Sequence, residues 1–468
     1  MEEEMPNSIA PNAVAIDYVV EGPRTAAAVA AGRSPLIGAV VQEPGQQSRF
    51  VDQELAGLLD SLGARQRLYP DALFALAVEA QNDLPPPVDF HDFHALTCVL
   101  YGHNPFRWQP RLGMDRPSLI NMSQKNCTRR ASYVQFLDNA RQEQLDSVYE
   151  QIELPVIMPT LAMTLAGVPF NIAELKWLVT RESHLRASAA SLLRHLQPDR
   201  RIYANLDPLG TLTGRFSCQE PNLQGVAKPL RAAVQSSPGC ILLEADVSQC
   251  ELRVLAHFSQ DPRLLAAFRD RIDLHYQTAA AVLRIPVEQV TDEQRNRVGK
   301  QVNFAIVYGM TADSLAQKLA ITPSEAQALL DGYFGAYPGV RAWIGQVHAA
   351  AYQDRQVRTL SGRRRRLPDI RSRDPGVVAE AQRQAVNTIV QGTAADLLKM
   401  ALIRLHADLP ADVRMLLPVH DSVLLEVPEA LVEETSQIVR GAMETAPDGF
   451  AVPLKVEVKT GSTWADCK

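Results

Sequence analysis

The chain has 468 residues, of which 46% are hydrophobic and 21% charged, so it is an ordinary globular chain with room for two or three domains. Its net charge of −6 excludes a global basic field, and any nucleic-acid surface must be local. The acidic start lacks a secretion signal, and the longest uncharged run, residues 154–173, contains prolines and makes a poor membrane span. Six scattered cysteines without a CxxC pair indicate free thiols, so we expect a cytoplasmic protein.

Residues 1–150 are predicted to form an α/β domain. The apolar runs Val14–Val20 and Pro35–Val41 are typical of strands, and helical patterns follow over Leu55–Leu62 and Asp71–Ala80. A two-metal nuclease needs several carboxylates that converge on one point. The acidic candidates are isolated from one another along the chain: Asp17, Glu21, Asp92 and Asp138. We therefore interpret this block as a structural platform.

Residues 147–196 predict helices that are interrupted by a turn at Gly167. The next segment differs, because a Thr/Gly-rich loop carries Arg215 and is followed by Asn222 and Gln224. A cation and two amides on irregular backbone suit contacts with phosphates and base edges. A solvated loop explains the same composition equally well.

Residues 240–258 predict a strand, a turn and a helix. The apolar run Cys240–Leu243 forms the strand, Asp246 lies at its exit, and the helical period starts at Glu251. A charge at the exit of a buried strand is costly unless a cation lies opposite it. Taken alone, Asp246 is more simply interpreted as a helix N-cap, and only the stretches further along favour a metal ligand.

Two predicted helices follow, and His275 lies at the start of the first. Thr291 is a good N-cap for the second, on which Lys300, Phe304 and Tyr308 are spaced four residues apart and share one face. An ammonium group and two aromatic rings in a row could hold a triphosphate at one end and a base at the other. Alternatively, the rings belong to the core and the lysine extends past them to solvent.

Residues 358–373 carry seven arginines against one aspartate, a density that is typical of a polyanion-binding surface, with a solvated face as the alternative. A helix is predicted next, over residues 377–405. On it Arg383, Asn387 and Gln391 form a polar stripe on an otherwise apolar surface. Such donors need partners, which a nucleic-acid minor groove would supply.

The last informative stretch is a predicted hairpin. Two apolar strands, Met415–Val419 and Val423–Val427, flank a turn of His420, Asp421 and Ser422. Asp421 is therefore a second carboxylate at a strand tip, like Asp246. Two such aspartates, together with a lysine-bearing helix and an arginine cluster, make a plausible two-metal phosphoryl-transfer centre.

Taken together, these motifs resemble those of a family A DNA polymerase of the bacterial polymerase I type, from about residue 151 to the C-terminus. TGRFSCQEPNLQ is similar to the primer-template loop of that family, DVSQCELR to motif A, KQVNFAIVYG to motif B and VHDS to motif C. The resemblance implies an α+β and α/β multidomain fold, in which an RNase H-like, degenerate exonuclease-type domain precedes a right-hand polymerase domain. The implied ranges are 1–150 for the exonuclease-like domain and 151–468 for the polymerase domain, with thumb remnant 151–205, antiparallel palm 206–262 and 376–468, and helical fingers 263–375.

The resemblance also implies roles for individual residues. Asp246 and Asp421 would hold two Mg²⁺ ions, with Mn²⁺ as an alternative, and Lys300 would neutralise the triphosphate. Glu251 would select deoxynucleotides by excluding a 2′-hydroxyl. The implied nucleotide contacts are Glu251, His275, Arg297, Lys300, Phe304 and Tyr308. The implied primer-template contacts are Arg215, Asn222, Gln224, Arg383, Asn387, Gln391 and His420.

Three departures from the family pattern affect these expectations. Ser422 stands where motif C has a glutamate, which costs one supporting carboxylate. Asn296 stands where the family has an arginine, four residues before Lys300. At about 100° per residue of an α-helix, Arg297 lies within about 60° of Lys300 around the helix axis and could replace the missing arginine, whereas Arg295 lies about 140° away.

The third departure is in length, because residues 167–201 leave room for about two helices where the family has a long thumb. Fewer phosphate contacts imply weaker, more salt-sensitive DNA binding. We therefore expect low processivity, or a protein partner that supplies the missing grip. Proofreading should be absent, because Asp17 is followed by Tyr18 and Val19 and the DxE of the exonuclease site is missing.

The main hypothesis is therefore a DNA-directed DNA polymerase that acts on primer-template DNA and deoxynucleoside triphosphates. The alternative is a catalytically silent subunit that kept the fold and binds nucleic acid. Whether such a polymerase serves replication, gap repair, lesion bypass or the copying of RNA stays open, because a template is read by base pairing and not by a motif.

Overall fold

The structure, a computed structural model, describes residues 13–20, 23–34, 36–43, 46–52, 54–62, 65–84, 86–87, 90–101, 130–181 and 183–467. Glu21 and Pro35, the first residue of the predicted strand Pro35–Val41, lie outside these residues. The chain divides into two compact units. The first unit comprises residues 1–246, 399–442 and 458–468, and the second comprises residues 247–398 and 443–457.

The first unit begins with a five-stranded sheet. Its strands are Val14–Val20 (β1), Leu36–Gln42 (β2), Arg49–Val51 (β3), Arg67–Tyr69 (β4) and Phe90–Asp92 (β5). They lie in the order β3-β2-β1-β4-β5, in which β3, β2 and β1 pair in antiparallel fashion, whereas β1, β4 and β5 pair in parallel. The helices of this part are Ala26–Ala30, Leu55–Leu62, Ala72–Gln81, Phe93–Tyr101 and Arg130–Gln142. The predicted α/β organisation of this block is confirmed.

Local sequence explains these boundaries. All seven residues of β1 are buried, as expected of a strand in the centre of a sheet whose residues are apolar except for Asp17. The helix after β4 begins at Ala72 because the Asp71 side chain accepts a hydrogen bond from the backbone NH of Phe74, at 3.1 Å.

The middle of the first unit is helical, as predicted. A π turn over Tyr149–Glu153 precedes the helices Ile157–Ala166, Ile172–Arg181 and Arg186–His195. The predicted turn at Gly167 is confirmed, and its φ of +61° is one that glycine adopts without strain. The short strands that follow are Val168–Pro169 (β6) with Arg201–Ile202 (β7), and Asn205–Asp207 (β8) with Ser217–Gln219 (β9).

A second sheet of the first unit has the order β13-β14-β10-β15. Its strands are Cys240–Val247 (β10), Arg414–Val419 (β13), Ser422–Pro428 (β14) and Val456–Gly461 (β15). β10 and β13 both pair with β14 in antiparallel fashion. The predicted antiparallel hairpin is confirmed to within a residue. The helix Val432–Glu444 follows β14.

The second unit is mainly helical. Its helices are Cys250–Ser259, Pro262–Arg269, Leu274–Leu283, Asp292–Gln294, Lys300–Val307, Ala312–Leu319, Pro323–Ala336 and Pro338–Asp354. A hairpin of Gln356–Arg358 and Arg364–Arg366 follows. The long helix Pro375–Asp408 continues from the second unit into the first. Within the described part of the chain, no helix is both long and apolar enough to span a bilayer.

The arginine-rich segment is partly internal. The Arg363 guanidinium binds the buried Asp396 carboxylate at 2.6 and 2.8 Å. Arg365 donates to the side chains of Thr388 and Gln384, at 3.1 and 3.0 Å. These arginines fasten the hairpin to the long helix, so the segment offers less charge to a polyanion than its sequence indicates.

Candidate active site

Two aspartates lie at one end of the second sheet of the first unit. In the β10–β14 ladder Asp246 is the direct partner of Ser422, and Asp421 precedes that serine in the turn. Both carboxylates therefore reach the same sheet end. Asp246 is exposed, and the Asp421 side chain is 22% exposed. This is the strand-tip pair that the sequence predicts.

The turn that carries Asp421 is held by its neighbours. His420 has a φ of +56°, in the left-handed region. The Ser422 hydroxyl is buried and donates to the carbonyl of Val419 at 2.9 Å. Ser422 thus closes the hairpin and contributes no carboxylate to the sheet end.

The donor set at this sheet end fits Mg²⁺. Carboxylate oxygens are the hard ligands that this ion prefers, and it keeps several waters instead of requiring a full protein cage. The small number of protein ligands that Mg²⁺ requires is relevant here, because the described residues contain no group of three or more His, Cys, Asp or Glu side chains that could hold a metal. Two aspartates at a water-accessible edge are sufficient for an ion that completes its shell with water and substrate. The Arg215 guanidinium lies 3.9 Å from an Asp421 oxygen and balances part of the acidic charge.

The loop that carries the other predicted polar residues is anchored near the same turn. The Gln224 amide donates to the carbonyl of Pro418, at 2.8 Å, two residues before His420. The exposed Asn222 accepts from the backbone NH of Gly225, at 3.0 Å. The structure therefore brings this loop to the acidic hairpin, and each amide already has one internal hydrogen bond.

In the second unit, the helix Lys300–Val307 (the lysine helix) presents the predicted row of side chains. The Lys300 ammonium lies 5.8 Å from the centre of the Phe304 ring, and that ring lies 6.0 Å from the Tyr308 ring. Lys300 is exposed and both rings are half-buried. The predicted shared face is confirmed, and neither ring is a fully buried core side chain.

The segment before the lysine helix differs from the prediction. Thr291 is the N-cap, as expected, and forms a capping box with Gln294. Arg295–Gly299 then winds as a π turn. The azimuths predicted for Arg295 and Arg297 are therefore wrong, because they assumed α-helical winding throughout. Arg297 donates to the carbonyl of Leu319, at 3.2 Å.

Arg295 has a structural partner. Its guanidinium binds the Asp273 carboxylate at 2.7 and 2.9 Å. Asp273 also caps the helix Leu274–Leu283 (the histidine helix), because it accepts from the backbone NH of His275 at 2.8 Å. The start of the histidine helix is thereby tied to the π turn that precedes the lysine helix.

His275 is buried, and its ring centre lies 6.4 Å from that of Phe304. The ring nitrogen Nδ1 is 2.9 Å from the amide nitrogen of Asn303, which is itself fully buried. Burial lowers the pKa of His275 to about 4, so the ring is neutral at pH 7.

Gly299 allows the close approach of the two helices. A Cβ atom at this position would lie 1.9 Å from the carbonyl oxygen of His275. Sequence reasoning missed both Gly299 and Asn303. The available signal was a glycine beside the motif lysine and an amide among the apolar positions of a helix, where a buried polar group needs a partner.

The long helix carries the other predicted contacts of the second unit. Arg383 binds Glu380, and a Cβ at Gly309 would lie 3.0 Å from the Arg383 side chain. The structure therefore places Arg383 beside the end of the lysine helix. The side-chain amide oxygen of Asn387 is buried without a hydrogen-bond partner in the described part of the chain. Gln391 is buried.

Glu251 is buried at the start of the helix Cys250–Ser259. The preceding Gln249 has a φ of +55°, so the chain turns sharply before the helix begins. The predicted order of strand, turn and helix in this motif is confirmed.

Comparison with known proteins identifies the fold and the family. The fold is that of a DNA polymerase domain: the chain superimposes on a structure described as the POL domain of Pol1 from M. smegmatis in complex with DNA primer-template and dNTP, with a TM-score of 0.85. This match covers 97% of the chain and 95% of that structure at 23% sequence identity, and therefore shows the fold alone.

Sequence similarity defines the family. Residues 171–466, more than half of the chain, match the model of DNA polymerase family A. The chain belongs to this family. It is 42% identical over 275 residues to the thermostable DNA polymerase I of Thermus thermophilus, covering 57% of this chain and 33% of that protein. It is 38% identical over 347 residues to DNA polymerase I of Geobacillus stearothermophilus, covering 70% of this chain and 39% of that protein. The chain thus spans little more than a third of the length of these relatives.

Proposed function

We propose that this chain is a template-directed DNA polymerase that adds deoxynucleotides to a primer 3′-hydroxyl. The observation that carries the proposal is the placement of the two aspartates at one sheet end, with Asp246 paired to Ser422 and Asp421 in the turn directly before that serine. These two carboxylates would hold two Mg²⁺ ions, or Mn²⁺ in their place. When bound, such ions lower the pKa of an attacking hydroxyl and stabilise the charge that develops in phosphoryl transfer.

The residues of the second unit would bind the incoming nucleotide. Lys300 would neutralise triphosphate charge, as the exposed end of a row that continues into two aromatic rings. Phe304 and Tyr308 are half-buried, so each would offer one ring face to a sugar or base. Glu251 would exclude a 2′-hydroxyl, and its burial supports this steric role. Arg297 stays a proposed phosphate contact.

The remaining predicted residues would bind the primer and template. The amide oxygen of Asn387, which has no hydrogen-bond partner among the described residues, supports a role in reading the minor groove, because a buried acceptor without a partner is costly. The proposed DNA contacts are Arg215, Asn222, Gln224, Arg383, Asn387, Gln391 and His420.

We propose that this polymerase lacks proofreading. Asp17, the first acid expected of an exonuclease site, is buried and paired with Arg24. Glu79 of the same block accepts hydrogen bonds from the Tyr18 and Tyr69 hydroxyls, at 2.5 and 2.6 Å. Both carboxylates therefore serve internal contacts, which supports a structural role for this domain.

Low processivity is the second part of the proposal. Between Gly167 and Arg201 the described chain contains two α-helices of ten residues each, Ile172–Arg181 and Arg186–His195. So short a segment offers few cations to the phosphates of a duplex, unless a protein partner adds more. A cytoplasmic location remains part of the same proposal.

The test is primer extension on a short primer-template with Mg²⁺ and all four deoxynucleotides. Asp421→Ala should abolish extension, whereas Asp412→Ala, which removes an exposed aspartate of the same unit, should not. DNA binding without extension by the wild-type protein, in Mg²⁺ and in Mn²⁺, would refute the enzyme and leave a silent binding subunit. A primer with a mismatched 3′ end should not be shortened.

A further inference from the structure

His275 and Asn303 form part of a buried hydrogen-bond chain in the second unit. Thr278 lies on the histidine helix, one turn after His275, and its hydroxyl donates to the side-chain amide oxygen Oδ1 of Asn303, at 3.1 Å. The Asn303 amide nitrogen is 2.9 Å from His275 Nδ1. Thr278 and Asn303 are both fully buried, so water does not compete for these bonds.

The direction of these bonds assigns the ring proton. The Thr278 hydroxyl has one proton, which it donates to Asn303, and it accepts from the Tyr337 hydroxyl, 3.4 Å away. A hydroxyl that donates to the Asn303 oxygen fixes the orientation of the amide. The amide NH₂ then faces His275 and can only donate, so Nδ1 must be the unprotonated acceptor. In the neutral ring the single proton is consequently on Nε2, which makes no hydrogen bond to the described residues. The imidazole thus presents an N–H donor at its outer nitrogen.

We infer that Asn303 is a positioning residue, which locks His275 as the Nε2–H tautomer so that the neutral ring donates a hydrogen bond to a phosphate oxygen of the incoming nucleotide. This inference rests on the proposed function. The opposite tautomer would direct a lone pair at the anion and repel it. The lowered pKa of His275 agrees with this arrangement, because burial keeps the ring neutral and leaves the positive charge to Lys300.

The decisive variant is Asn303→Asp. An aspartate keeps the size and still accepts from Thr278, but its second oxygen faces Nδ1 and requires a proton there, so a ring that is neutral at the pH of the assay loses the proton on Nε2. We expect the KM for deoxynucleotides to rise about tenfold or more, as for a lost hydrogen bond to a charged group, with a much smaller change in kcat. In a His275→Ala background the same substitution should add nothing, because its effect passes through the ring. Equal losses in both backgrounds would show a merely structural role and overturn the inference.

A second readout does not depend on catalysis. Nitrogen NMR of labelled imidazole should show the Nε2–H tautomer of His275 in the wild-type protein at pH 7, and protonated Nδ1 in Asn303→Asp. Thr278→Val should give mixed tautomers, whereas Thr278→Ser keeps the hydroxyl and the wild-type signal. A wild-type ring with its proton on Nδ1 would overturn the inference even if the protein extends primers. The wild-type signal in a protein that does not extend primers would refute the proposed function alone.

Discussion

Gly299→Ala tests whether the contact between the lysine helix and the histidine helix controls nucleotide binding. The added Cβ would lie 1.9 Å from the carbonyl oxygen of His275, 2.9 Å from its carbonyl carbon and 3.2 Å from the Cβ of Ala279. An ordinary contact starts at 3.4 Å, so the helices must separate by about 1.5 Å. The opposing atoms are backbone, which cannot move aside as a flexible side chain can.

This separation has two measurable consequences. Overpacking of this kind costs about 1–3 kcal/mol in the free energy of unfolding. The Asn303–His275 hydrogen bond, now 2.9 Å, would stretch beyond hydrogen-bonding range, so the KM for deoxynucleotides should rise by about tenfold. Urea unfolding and primer extension at varied nucleotide concentration measure the two effects.

Gly345→Ala is the matched control. Gly345 is exposed within the helix Pro338–Asp354, and a Cβ added there would have no neighbour within 4 Å. The substitution should therefore stabilise the protein by about 0.5–1 kcal/mol, because alanine favours the helix, without changing KM. If Gly299→Ala unfolded like this control and kept the wild-type KM, the proposed coupling of the two helices would be refuted.

Three further changes test other contacts. In the wild-type protein the Lys399 ammonium lies 2.7 and 2.9 Å from the two oxygens of the fully buried Glu153 carboxylate. Lys399→Met removes this cation, and urea unfolding should show that the free energy of unfolding falls by about 3–5 kcal/mol. Adding Glu153→Met should recover most of that loss. Burial lowers the pKa of His275 from 6.5 to about 4, so between these pH values the unfolded chain binds a proton that the folded chain does not. The free energy of unfolding should therefore fall as the pH drops from 6.5 to 4, and His275→Gln should reduce that fall by up to about 3 kcal/mol. An unchanged pH profile of stability in this variant would contradict the burial. Thr291→Ala removes the N-cap bond before the π turn and should cost about 1 kcal/mol, whereas Thr291→Ser should cost much less.

The elements that the sequence predicted well are those whose signal is local. Val14–Val20 was predicted to the residue because it is an almost uninterrupted apolar run, as a fully buried strand requires. The hairpin around Asp421 was predicted to within a residue because two apolar runs flank a short polar turn. The pairing of Asp246 with Ser422 is different, since nothing within either segment specifies which strand will be its neighbour or in what register.

The features that were missed depend on packing between distant segments. The π turn over Arg295–Gly299 lies where the histidine helix presses on Gly299, and a periodic rule has no access to that contact. Charge density likewise favoured a polyanion surface for the arginine-rich segment. One of those arginines, Arg363, is instead buried against Asp396, which lies 33 residues further along the chain.

Ser422 shows how a departure from a family motif can leave the rest of a site intact. A carboxylate at this position would help to hold metal, and its loss reduces the acidic charge of the sheet end. The replacing hydroxyl is nevertheless fully used, because it donates to Val419 and fastens the turn on which Asp421 sits. The backbone pairing that places Asp246 beside this turn does not involve the side chain of Ser422. The pairing of the two strands and the turn before Ser422 therefore keep both aspartates at one sheet end, as the proposed two-ion centre requires.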